Sequence, residues 1–235
     1  MPDSHFSFSS DRLRQIARDV LDYAAQRGAG AAETEVSDGV GQTVTVRRGE
    51  VETIEYNRDK GVGVTVYIGK QRGHASTTDF NPQAVRDTVD AALSIARFTA
   101  ADDCAGLADE EMLAREIPDL DLWHPRDLPV ERAIELAGAC EAAGFAVDKR
   151  LTNSEGATIS TQGSHFIYGN SHGFLAGFPS SRHGVWCALI AGKNDEMQRD
   201  DWYETSRDAV DLPDTESVGR RAGSRAVRRL GARKN

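Results

Sequence analysis

A chain of 235 residues with 39% hydrophobic residues is long enough for one large domain or two small ones, and it can bury a core without covalent staples. A formal net charge of -9 and a pI of about 5.2 weigh against a general nucleic-acid binder, which needs a basic footprint for phosphate. The longest apolar run, Val185–Ala191, is far too short for a membrane-spanning helix.

The first element is a helix. Leu13, Ile16, Ala17, Val20, Leu21 and Ala24 form one buried stripe at helical spacing, with Ser9 or Ser10 as cap and Gly28 and Gly30 as the stop. Strands follow. Glu33–Arg48 alternates Val44 and Val46 against Thr43, Thr45 and Arg47, and Gly49-Glu50 reads as a hairpin turn. Val51–Tyr56 returns, with Ile54 and Tyr56 on one face. Asn57–Gly61 reads as another turn, Val62–Ile68 as a third strand, Gly69–Arg72 as a turn and His74–Thr77 as a short fourth strand. A second helix starts at Asn81-Pro82 and buries Val85, Val89, Ala92 and Ala96.

Residues 100–128 are acidic and aperiodic. They read as a long surface connection with one helical turn at Asp109–Arg115, pinned by Leu120, Leu122 and Trp123. Val130–Ala143 is then a helix with Ala133, Ile134, Ala137 and Cys140 inward. Val147–Arg207 reads as strands broken by Gly156, Gly163, Gly173, Gly177, Gly184 and Gly192. Glu216–Leu230 is a last helix, with Val218, Ala222, Ala226, Val227 and Leu230 inward. RGAGAAE after the first helix resembles AAGFAVD after the third, and Gly61 and Gly63 correspond to Gly173. The expectation is an α+β fold of mostly antiparallel, meandering strands with flanking helices, built from a duplicated helix–strands–helix unit. Its parts are residues 1–99, an acidic connection over 100–128, and residues 129–235.

Chemistry is sparse. His165, His172 and His183 are spaced across strands and turns, and no HExxH pair sets two ligands one helical turn apart. Backbone-bonded sheet histidines explain them better than a metal site. Ser164-His165 and Ser171-His172 would point to opposite faces of a strand and could not share a proton. There is no G-x-S-x-G elbow. Cys187 lies in an apolar run and reads as packing; with Cys104 and Cys140 it gives three reduced thiols of a cytoplasmic protein. MPDSHFSFSS lacks the order of a signal peptide. Asp195, Glu196, Asp200 and Asp201 read as a solvated turn rather than a cation site. GVGVTV enters a strand, not a helix, so a hairpin turn explains its glycines better than a nucleotide does. The basic run RRAGSRAVRRLGARK suits the wet face of the last helix, whose C-terminal dipole favours arginine, better than nucleic acid or membrane. No catalytic, cofactor-binding or metal-ligating residue is assigned.

RRGEVETIEYNRDKGVGVTVY, GHASTTDFNPQAV, CAGLADEEMLA, PDLDLWHP, DKRLTNSEGA, GNSHGF and MQRDDWYETSRDAVDL occur in an order that resembles the TldD/PmbA family, once labelled modulators of DNA gyrase. The resemblance covers nearly the whole chain, leans to the PmbA (TldE) side, and lies with the N-terminal half of family chains. It implies an N-terminal fragment or truncated product. It also implies a subunit of a cytoplasmic zinc-dependent peptidase, in which a PmbA-type subunit pairs with a TldD-type subunit to trim leader peptides and degrade an unfolded antitoxin. The zinc ligands belong to an HExxxH-type motif of the TldD-type partner. No position here matches that motif, so no cofactor is expected in this chain and the isolated chain is expected to be inactive. Many hairpins leave many strand edges, which suits strand addition of an extended peptide. Such a surface can form either a homodimer or a heterodimer. Two other readings are a regulator that binds gyrase or another protein without peptidase activity, and a stand-alone hydrolase with a metal at His165, His172 and His183.

Overall fold

The computed structural model describes residues 5–232. Its main elements are α1 (Ser10–Gln26), β1 (Ala31–Arg47), β2 (Glu50–Ile68), β3 (Gln71–Thr77), α2 (Pro82–Phe98), α3 (Val130–Phe145), β4 (Leu151–Asn170), β5 (Leu175–Ala191), β6 (Gln198–Ser206) and α4 (Thr215–Arg228). The strands form one sheet in the order β3-β2-β1-β4-β5-β6, with β2–β3 and β5–β6 antiparallel. The fold is α+β, with helices flanking antiparallel strands, and helix, three strands, helix occurs twice in the element order. The chain gathers into two compact units. The first holds Arg58–Asp121, Ser164–Pro179 and the described residues up to Val40; the second holds Gly41–Asn57, Leu122–Gly163 and the described residues from Ser180 onward.

In the first unit, α1 forms where the stripe and its cap require. Ser9 accepts the Arg12 N–H, and Leu13, Ile16, Ala17, Val20 and Ala24 are buried, while Leu21 is half-buried. Burial of Leu13, Ile16 and Val20 contributes about 2 kcal/mol each. The Asn81 side chain caps α2, with Pro82 at the first turn. Both helices pack with Ala32 and Val36 of β1, Val62, Val64 and Val66 of β2, and Ile167 of β4. In the second unit, α3 and α4 pack with Val44 and Val46 of β1, Ala157 and Ile159 of β4, and Val185, Cys187, Leu189 and Ala191 of β5. Ile134, Val227 and Leu230 are half-buried and pack against this core, as expected.

Several expected boundaries move. The first hairpin turn is Arg48-Gly49, one residue before the expected Gly49-Glu50. Both residues have positive φ (54° and 80°), the backbone of a two-residue turn that matches strand twist. Asn57–Gly61 is not a turn; β2 runs through it without a break. Asn57, Arg58, Asp59 and Lys60 have the composition of a loop because this length of strand is exposed, so no apolar alternation marks it. The fourth expected strand starts at Gln71, not His74. Gly156, Gly163, Gly177 and Gly184 lie inside β4 and β5 instead of breaking them. Gly177 is there for close approach: a Cβ would stand 1.8 Å from the Phe166 carbonyl oxygen. In the connection, helical geometry is confined to a single 3-10 turn, Glu110–Met112, and Leu120 is 53% exposed rather than pinned. Leu122 is held instead through its carbonyl, which accepts the Ser181 N–H at 2.8 Å.

Candidate functional site

The three histidines have separate structural tasks. In the first unit, His165 is buried with its ring 5.5 Å from that of Phe6, and His172 sits in the β4–β5 turn with Nδ1 3.0 Å from the Ala108 carbonyl. In the second unit, His183 is buried on β5 with Nε2 2.9 Å from the His124 carbonyl. A carbonyl only accepts, so Nε2 carries a proton; Nδ1 has no hydrogen-bond partner among the described residues. Ser181 completes this clamp. Its hydroxyl oxygen accepts the His124 N–H at 2.8 Å and lies 2.8 Å from the Arg207 carbonyl. The cluster ties residues 122–124 to β5. Of the serine–histidine pairs, Ser164 is exposed beside buried His165, and Ser171 accepts the Ala32 N–H at 3.1 Å.

Cys140 and Cys187 are both buried in the second unit. The Cys140 sulfur held against it, and then burial, raise the Cys187 thiol well above its usual range, so Cys187 packs and is not a thiolate. Sequence reasoning missed a polar cluster in the first unit. Tyr67 and Tyr168 donate their hydroxyls to the two oxygens of Glu33, at 2.8 and 2.7 Å. Burial, then the hydrogen bond and charge of Glu33, push Tyr67 up to about 12; the same causes raise Tyr168. Glu33 thus has both oxygens engaged and two phenols held neutral, an arrangement that fixes β1, β2 and β4 rather than one poised to move a proton.

The open chemistry lies on β6. This strand ends the sheet order, so its outer edge takes no further strand among the described residues. Its charged side chains are already engaged. Arg199 binds Glu155 at 3.0 Å and also Asp201; Glu204 accepts the Trp202 indole N–H at 2.8 Å; Asp200 binds Arg225 at 3.2 Å and Arg229 at 3.6 Å. Burial raises the Asp200 carboxyl, but the Asp201 N–H and the two guanidiniums outweigh it, and the net shift is downward. The expected solvated turn of carboxylates therefore holds only for Asp195 and Glu196, which are exposed; Asp200 and Asp201 lie in β6. Trp202 is sandwiched from α4, with the Arg221 guanidinium 3.6 Å from its ring centroid and Arg225 at 5.1 Å. These contacts employ part of the C-terminal basic run inside the fold. Beside its open edge, β6 exposes Arg199, the 59% exposed ring of Tyr203, and Thr205.

Residues 32–96 match the family model described as PmbA/TldA metallopeptidase domain 1, and residues 123–230 match the PmbA/TldA metallopeptidase central domain. The chain belongs to the PmbA/TldD family. Metalloprotease PmbA of Escherichia coli O157:H7 is 44% identical over 222 residues, covering 94% of this chain and 49% of that protein. The Metalloprotease PmbA homolog of Haemophilus influenzae is 39% identical over the same shares. The chain thus spans about half the length of the curated relatives it matches. In fold it is similar to a Bacteroides thetaiotaomicron protein labelled a candidate modulator of DNA gyrase (TM-score 0.87, 22% identity, 96% of this chain and 52% of that one). It is similar as well to TldE of Thermococcus kodakarensis (TM-score 0.73, 15% identity, 90% and 47%).

The PmbA/TldD family name implies a metal, and the donors described here do not fit one. Among the described residues no three His, Cys, Asp or Glu side chains gather as ligands. His183 donates its Nε2–H to a backbone carbonyl, and the two buried thiols face each other. No step through a metal is assigned to this chain. No helix among the described residues is long and apolar enough to cross a membrane.

Proposed function

We propose that this chain is the N-terminal, non-catalytic module of a PmbA-type subunit in a cytoplasmic TldD/PmbA metallopeptidase. The complex acts on unfolded and leader-type peptides, and a TldD-type subunit holds the zinc. The family match supports the peptidase setting, and the poor fit of the local donors supports a non-catalytic role. The observation that carries the peptide-handling part is the outer edge of β6, a nine-residue strand whose charged side chains are engaged within the fold. Such an edge offers main-chain hydrogen bonds with little side-chain preference, so an extended peptide can add as a further strand whatever its sequence. That tolerance suits disordered substrates. Amide exchange of a short unstructured peptide mixed with the chain tests it. The expected result is protection of alternate peptide amides together with the outward-facing amides of β6. A bound peptide with no amide protected, held through side chains alone, would refute strand addition.

A further inference from the structure

Residues 5–9, ahead of α1, are seated on the first unit without a helix or strand of their own. Their side chains alternate as in an extended peptide: Phe6 is buried, Ser7 exposed and Phe8 half-buried. Side chains from far along the chain receive them. The carboxylate of Asp38 on β1, 2% exposed, accepts the Phe8 backbone N–H at 2.9 Å. The Phe6 ring stands 5.5 Å from that of buried His165 on β4. The Phe8 ring stands 4.9 Å from that of Phe80, which lies ahead of α2. From β2, Lys60 sets its ammonium 5.4 Å from the Phe8 ring centroid and 5.2 Å from that of Phe80. Arg58, also on β2, donates to the Ser7 hydroxyl at 3.3 Å.

Such contacts are how a protein reads a peptide: a fixed acceptor holds a main-chain N–H, and two rings at alternate positions fill aromatic seats beside a cation. We propose that Asp38, Lys60, Phe80 and His165 form a binding site for an extended aromatic–x–aromatic peptide segment, which Phe6-Ser7-Phe8 occupies in cis. The chemistry of the occupant follows from what its loss would leave. Without these residues Asp38 loses its N–H donor, and Phe80 and the His165 ring lose their cover. A segment of another chain that brings a backbone N–H and two rings restores both, so exchange is favoured over an empty cleft. The tethered occupant competes at an effective concentration of about millimolar, so only an abundant or tightly held segment displaces it. The site belongs to the first unit and does not rest on the strand edge of β6.

Fluorescence anisotropy of the labelled peptide HFSFSS, which repeats residues 5–10, tests this on the full chain. Joint Phe6→Ala and Phe8→Ala substitution empties the aromatic seats and leaves the Ser9 cap of α1 in place. HFSFSS is expected to bind this variant about tenfold or more tightly than it binds the unaltered chain, whose own residues compete. Adding Asp38→Ala should weaken that binding about tenfold, through the lost charge-assisted bond. The control peptide HASASS should not bind; strand addition at β6 would not distinguish the two peptides. The unaltered chain gives a readout that needs no substitution. Its Phe8 amide should exchange faster in about 5 mM unlabelled HFSFSS and be unmoved by HASASS. A peptide that binds the double variant no better than the unaltered chain, or no better than HASASS does, overturns the proposal. So does a Phe8 amide whose exchange HFSFSS leaves unchanged.

Discussion

Gly219→Ala is expected to destabilise the second unit by about 3 kcal/mol, the upper end for overpacking a rigid core. In α4, Gly219 and Gly223 form a G-x-x-x-G pair, and they meet Gly144 of α3. A Cβ on Gly219 would stand 1.8 Å from the Cys140 carbonyl oxygen, and one on Gly223 would stand 2.5 Å from that of Gly144. The nearest atoms are helix backbone, which cannot swing aside as a side chain would, so the helices must separate. Separation would loosen Ala133, Ala137, Cys140, Val218, Ala222 and Ala226 together, all of them in one core. Gly138→Ala on α3 is the control: a Cβ there meets nothing within 4 Å. That change should stabilise by about 0.5–1 kcal/mol through backbone entropy alone. Urea midpoints of the two variants are expected to move in opposite directions. Equal tolerance of both would mean that α3 and α4 do not pack through their backbones.

The second large effect is expected at Glu141, a buried carboxylate on α3 that sequence reading passes over. Its oxygens accept the backbone N–H groups of Arg48 and Gly49, at 2.8 and 3.0 Å. Those are the two turn residues of the β1–β2 hairpin, and Arg48 holds a left-handed φ of 54° that costs a non-glycine residue about 1 kcal/mol. The carboxylate offsets that strain with two charge-assisted bonds. Glu141→Ala should therefore cost about 3 kcal/mol, from the lost bonds and from two amides left without their partner. Arg48→Gly in the Glu141→Ala background should recover about 1 kcal/mol by relieving the strain. Denaturant unfolding of the single and double variants checks both signs. A silent Glu141→Ala would show that solvent serves these amides as well as the carboxylate does.

Local rules reached the elements whose partners lie close in sequence. Ser9, Asn81-Pro82 and the apolar stripes of α1 and α2 announce themselves, because a cap and a helical face are decided within a few turns. Asn57–Gly61 within β2 did not. A strand without a core on either face loses the alternation that marks strands, and NRDKG then reads as a turn. The glycines of β4 and β5 misled for a related reason. Glycine marks a chain break and a close approach alike, and the 1.8 Å separation at Gly177 is visible only once Phe166 is beside it. Glu33 with Tyr67 and Tyr168, and Glu141 with Arg48 and Gly49, join residues far apart in sequence that no motif spacing connects. Family resemblance did reach across that distance, because ordered phrases along the whole chain carry what local periodicity does not.

If this module serves a metallopeptidase without holding its metal, zinc must partition away from it. The chain would be purified with and without a TldD-type subunit, and metal would be counted by mass spectrometry in the mixed complex and in each separated chain. The expected result is a stable mixed complex with zinc in the partner and none retained by this chain. Zinc bound one-to-one by this chain alone would contradict it and return attention to His165, His172 and His183.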